Sequence, residues 1–241
     1  MHTSRTIRGG IPAWASTLIA AMLTLIAGST LAGDEFLRKG KGDDSRHVRA
    51  NVLPAGDKVL GYSLQDMARA TANFNVSDHG SSSVPVPNTP FQFLYTSAAN
   101  PDNEFRIMQG RALYVPVVYV DNTPTVLGTF PGSAENHQQL LKYFYSQLQI
   151  GTVVVQITVD GNTKELGGTY LAGVDFASPL SNGATKYITS AAFISPLPPG
   201  RHSVSIRFKA TGDAFRESPF DEIFPDGFAD FGVTTYTLTV H

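Results

Sequence analysis

The chain has 241 residues, 18 basic and 20 acidic side chains, no cysteine and a formal net charge of −2. Without cysteine there is no disulfide framework, no thiol chemistry and no residue for lipid attachment. The mildly negative balance argues against nucleic acid or an anionic membrane surface as a partner.

Residues 1–32 read as a secretory signal peptide. Arg5 and Arg8 form a basic start, Leu18 to Ala27 a short apolar run, and Thr30-Leu31-Ala32 a small-residue cleavage site. The run is shorter than the roughly 20 residues that a membrane-spanning helix needs. No later stretch is long and apolar enough to be a transmembrane segment. Export to the periplasm or the medium is therefore expected. Without Arg5 and Arg8, 16 basic side chains face 20 acidic ones, for a net charge of −4.

Residues 33–57 are polar and mixed in charge, as in Arg38 to Arg46, and are expected to form a flexible leader. One domain is expected over 58–241. Ser63 and Asp66 have the spacing of a capping box, and Leu64, Met67, Ala68, Thr71 and Phe74 recur at helical spacing, which predicts a helix near 64–74. Residues 77–90, with Asp78-His79-Gly80, four serines and three prolines, read as a long loop. Strands follow at Phe91–Tyr95, Phe105–Met108 and Ala112–Val120. Pro116 marks the last of these as an edge or a bulge.

A second helix is expected near 134–149, with Ser133 as its N-cap and an apolar stripe of Leu140, Leu141, Phe144, Tyr145 and Leu148. In Thr152–Val159 the residues Val153, Val155, Ile157 and Val159 alternate toward one face, and Asp160-Gly161 turns the chain. Strands at Thr169–Phe176 and Lys186–Ile194 lead to the turn Pro196-Leu-Pro-Pro-Gly-Arg-His202. The strand after it alternates Val204, Ile206 and Phe208 with polar residues. The last strand, Val233–Val240, turns Tyr236, Leu238 and Val240 one way. Together these predict a mainly β protein, an antiparallel β-sandwich of about eight strands with two short helices.

Three pieces carry a resemblance: the apolar helix leading into Val153–Val159-Asp160-Gly161, the proline turn before His202, and the closing tyrosine strand. Over roughly residues 105–241 the chain resembles a loose group of uncharacterised exported bacterial proteins with an immunoglobulin-like or jelly-roll sandwich. The resemblance implies fold and export, and no activity.

Candidate chemistry concentrates in residues 212–232. Asp213, Asp221, Asp226 and Asp230 are candidate calcium ligands, because calcium takes six to eight oxygens and clustered carboxylates supply them. The spacing matches no EF-hand. Phe224 and Phe228, interleaved with these acids, are candidate ligand-binding residues, together with His79 of the long loop. His202 lies in phase with Val204 and is expected to hydrogen-bond the preceding turn. There is no Gly-x-Ser-x-Gly elbow and no phosphate-binding glycine loop. The expected role is a non-catalytic exported protein that binds a glycan, an envelope component or a protein partner. The alternative is a polysaccharide hydrolase or lyase using carboxylates of the 213–230 loop. A homo-oligomer would follow if the Tyr114–Val120 edge paired between chains.

Overall fold

A computed structural model describes residues 51–77, 84–97 and 100–241. The expected signal peptide, most of the leader and the Asp78–Ser83 segment lie outside the described residues.

The fold is mainly β, as the alternating patterns require, with nine strands in two sheets. The strands are β1 (Gln92–Phe93), β2 (Glu104–Ile107), β3 (Leu113–Asp121), β4 (Thr152–Val159), β5 (Asn162–Glu165), β6 (Leu171–Asp175), β7 (Lys186–Ile194), β8 (Gly200–Ala210) and β9 (Ala229–Val240). The helices are α1 (Leu64–Asn75), α2 (His137–Tyr145) and the single turn α3 (Phe220–Ile223). One sheet runs β1-β3-β7-β6 and the other β2-β9-β8-β4-β5. One expectation needs correcting: the sheets are mixed. β1 runs parallel to β3, and β2 runs parallel to β9. Both are short strands added at an edge, and each reaches its neighbour by a crossover rather than a hairpin.

The inner faces follow the period of two. Val204, Ile206 and Phe208 of β8 are buried, as are Tyr236, Leu238 and Val240 of β9. In β4 a bulge between Thr152 and Val154 breaks the expected run. Val155, Ile157 and Val159 point inward, while Val153 is 50% exposed. The hairpin into β5 was signalled by Asp160-Gly161. Both have positive φ, the geometry of a two-residue turn between antiparallel strands.

Helix α1 covers the outer face of the four-stranded sheet. Its start is the expected capping box: the Ser63 Oγ accepts from the Asp66 N–H, and the Asp66 carboxylate accepts from the Ser63 N–H. Helix α2 packs against β6 and β4, where the two sheets come together. It is shorter than expected, and its N-cap is Asn136, not Ser133. The Ser133 hydroxyl instead donates to Asp175 at 2.6 Å. Because the helix stops at Tyr145, Leu148 falls out of phase and is 74% exposed. Residues 51–57, expected to be part of a flexible leader, pack on the body instead. Val52 bridges to Ile194, the Leu53 N–H donates to the Phe193 carbonyl, and Val52, Leu53 and Ala55 pack on the core. Asn51 joins them, its carbonyl accepting from the Ser195 N–H.

Candidate functional site

The site begins with one proline. β3 pairs with β7 through Pro116↔Ala191 and then Val118↔Ser190, so Val117 is an extra residue opposite nothing. Proline has no N–H for a ladder, and a bulge at that point bends the strand and re-aims its side chains. β1 pairs only with Leu113 and Tyr114, before the bulge. Behind the bulge, between β3 and the facing strands β8 and β9, lies a cavity of about 70 Å3.

The floor of the cavity is apolar and buried. Phe144 of α2, Ile150 just beyond it, Ile206, Phe208 and Phe215 line it and are all buried. The half-buried residues at its mouth are of a different kind: Tyr95, Thr96 and Tyr119 stand with Pro116, Val118 and Val120. None of the described lining residues carries a charge. Burial pushes the Tyr236 phenol up to about 12 and raises the phenols of Tyr95 and Tyr119 as well, so all three stay neutral near pH 7. The Tyr119 hydroxyl donates to the Asn75 carbonyl, which ties the mouth to the last turn of α1. The arrangement offers mainly apolar contact, and the Tyr119 hydroxyl on its wall is already engaged.

The residues singled out in the sequence fall around this cavity rather than in it. Phe224 is half-buried and packs edge-on against Phe215, with ring centroids 5.1 Å apart, and against Phe231, at 6.1 Å. Both of those rings line the cavity, so Phe224 supports its wall from behind. Phe228 is 39% exposed, with the Lys209 ammonium 5.2 Å from its ring centroid. It stands apart from the cavity lining. His79 lies outside the described residues.

The structure does not bring Asp213, Asp221, Asp226 and Asp230 together. Asp213 faces Arg216 at 3.3 Å. Asp230 faces Arg207 at 3.4 Å and Lys209 at 3.7 Å, and accepts from the Gly232 N–H at 3.1 Å. Partial burial works to raise its pKa, and the Gly232 donor and the two cations together hold it low. Asp221 and Asp226 are exposed. Among the described residues, no three His, Asp or Glu side chains gather in a way that could hold a metal ion. The physical reason is local: cations and backbone donors satisfy two of the carboxylates, while the buried Phe220 turns α3 so that Asp221 faces water.

His202 does bond its turn, through Nε2 to the Pro198 carbonyl at 2.8 Å. Its Nδ1 also meets Asp160 at 2.7 Å, a partner 42 positions away that periodicity could not reveal. Asp160 accepts from the Ser203 N–H as well, so this cluster joins the β4–β5 turn to β8. Sequence reasoning missed the cavity entirely. Its one visible trace was Pro116 inside an otherwise regular strand.

No family model and no curated protein matches the chain. Among solved structures, the solution structure of amebosin aligns at 14% identity over 64% of this chain and 98% of that one, with a TM-score of 0.22. No helix among the described residues is long and apolar enough to cross a membrane.

Proposed function

We propose that this chain is an exported, non-catalytic recognition protein that binds an apolar envelope component in the cavity behind the β3 bulge. The observation that carries the reading is the cavity itself. Well-packed interiors leave few voids larger than a water molecule, and apolar recesses with a few polar groups at the mouth are where small ligands bind. Its apolar floor favours an apolar group over a glycan, which would need hydrogen-bonding partners at every buried hydroxyl. Export rests on the n-, h- and c-regions of residues 1–32. The non-catalytic reading rests on Asp213 and Asp230, which engage Arg216, Arg207 and Lys209 rather than facing one another across a cleft.

Two measurements test it. N-terminal sequencing of the protein recovered outside the cytoplasm should begin at Gly33, and retention of the whole chain inside the cell would refute export. Thermal unfolding should show a higher midpoint with the organic-soluble fraction of the cell envelope, since any ligand of the folded state alone stabilises it by mass action. A midpoint raised only by soluble glycans, or only by calcium in a manner reversed by EDTA, would overturn the assignment of the cavity.

A further inference from the structure

We infer that the cavity takes a bare hydrocarbon group of about three carbons, with no oxygen, nitrogen or charge on the part that enters. This rests on the reading of the cavity as the binding site and adds the class of group that it holds. The hydrogen bonds, the chemistry and the volume of the lining set that class, whichever way the cavity opens.

The polar side chains of the lining are already engaged. The Tyr119 hydroxyl gives its proton to the Asn75 carbonyl, and the Asn75 amide donates to Tyr187. Thr96 hydrogen-bonds the Tyr236 phenol. The Tyr95 ring meets those of Phe74, Phe93 and Phe105, and neither Tyr95 nor Thr96 is without a partner. A ligand oxygen or nitrogen therefore breaks one of these contacts or goes unpaired, and a buried polar group without a partner costs affinity. An ion fares worse, because none of the described lining residues carries an opposite charge.

What remains is carbon. The side chains of Leu94, Val117, Phe144, Ile150, Ile206 and Phe215 line the cavity, and each residue is at most 2% exposed. A water held there would need about two to four polar partners, and an apolar cavity without them stays dry. A hydrocarbon thus displaces no water that the protein holds, and its transfer out of bulk water drives binding.

Volume limits the length. A cavity of about 150 Å3 lined by aliphatic and aromatic side chains accommodates benzene, which has six carbons. A cavity of about 70 Å3 then holds about three carbons on the same scale. Each methylene buried within that limit strengthens binding about fourfold, and the next one finds no room.

The experiment is titration of the full chain with ethane, propane, butane and hexane, followed by the methyl resonances of Val117, Ile150 and Ile206. Ethanol and dimethyl ether, which match propane in heavy atoms, are the polar controls. Octyl glucoside below its micelle concentration separates the alkyl end of a larger amphiphile from a free small hydrocarbon. The expected result is affinity rising about fourfold from ethane to propane and levelling off by butane. Both polar controls should bind at least about tenfold more weakly than propane, and octyl glucoside should compete for the same methyl groups. Val117→Ile, which adds one methyl to the lining, should weaken propane about fourfold. Ile206→Val, which removes one, should carry the rise about one carbon further; this milder variant decides the matter if Val117→Ile does not fold. Ethanol or dimethyl ether binding as tightly as propane would overturn the bare-hydrocarbon class and leave the cavity a binding site. A fourfold rise continuing unchanged to hexane would overturn the size limit. Propane binding without competition from octyl glucoside would keep the class and overturn an envelope component as its source. If no hydrocarbon moves the three methyl groups, both the class and the reading of the cavity as the site fall.

Discussion

The side-chain amide of Asn75 donates to the Tyr187 hydroxyl at 2.6 Å, across 112 positions of chain. This bond fixes the last turn of α1 onto the outer face of the four-stranded sheet. The Tyr119 hydroxyl, whose ring stacks on that of Tyr187 at 5.7 Å, returns a bond to the Asn75 carbonyl. Burial drives the Tyr187 phenol well above its ordinary range, so it stays protonated and needs a partner. Asn75→Leu leaves a buried hydroxyl short of a hydrogen bond and should cost about 1–3 kcal/mol. Replacing both partners, Asn75→Leu with Tyr187→Phe, should cost less than the two single changes added together, because no polar group is stranded. Urea unfolding of the four proteins checks this, and strict additivity would refute the coupling.

Two glycines exist because backbone passes close beside them. A Cβ on Gly212 would lie 2.0 Å from the Gln149 carbonyl oxygen, and one on Gly173 would lie 2.0 Å from the Ala134 carbonyl oxygen. The first contact joins the end of β8 to the turn before β4, and the second seats the approach to α2 against β6. Gly212→Ala and Gly173→Ala should each destabilise by about 1–3 kcal/mol, since backbone rather than a flexible side chain must move. Gly167 is the control. It has φ −78 and nothing within 4 Å of a built Cβ. Gly167→Ala should be neutral or stabilise by about 0.4–1 kcal/mol through the unfolded chain. Thermal midpoints of the three variants separate these outcomes.

The β character of the fold could be read from the sequence because each inner strand repeats a two-residue burial pattern that no helix would tolerate, as in Val204-Ile206-Phe208. The cap of α1 was equally legible, since Ser63 and Asp66 interact locally. What escaped depends on partners distant in sequence. The parallel pairing of β2 with the end of β9 joins Glu104 to Thr237, and no local pattern encodes it. Strand β5 was missed because all four of its residues are exposed and carry no alternation. The cavity is the strongest case, because it depends on how β3, α2, β8 and β9 meet. The acidic loop misled for the same reason: carboxylates close in sequence were read as a cluster, while Arg207 and Lys209 on the neighbouring strand hold Asp230 apart from the rest.

Acid stability should follow Asp66 and Asp175. The Ser63 hydroxyl and the Ser63 N–H hold the Asp66 carboxyl below its usual value. For Asp175, partial burial pushes upward, and the Ser133 hydroxyl, the Ala134 N–H and the nearby Lys186 charge outweigh it. A folded-state pKa below the unfolded value of about 3.9 means that the stabilisation is fully present above that pH. It is lost as pH falls from about 4 through the folded value. Asp175→Asn should therefore be less stable than the parent at pH 7 and should lose less on acidification, so that the two stability curves converge toward pH 2. Urea midpoints at several pH values between 2 and 7 check it, and parallel curves would show that Asp175 is not a source of the acid sensitivity.

Phe224 and Phe228 stand four residues apart in the same loop and should behave differently. Phe224 bridges Phe215 and Phe231, and Phe231 in turn stacks on Phe208 at 5.7 Å, so its ring backs three aromatic walls of the cavity. Phe224→Ala removes that backing. It should cost about 2–4 kcal/mol, somewhat below a fully buried phenylalanine. Phe228 offers one exposed face to Lys209, a contact worth about 0.5–1 kcal/mol. Phe228→Ala should change stability by no more than that. Urea unfolding of both variants separates a ring that shapes the cavity wall from one that lies on the surface. A loss in Phe228→Ala as large as that in Phe224→Ala would refute the distinction between the two rings.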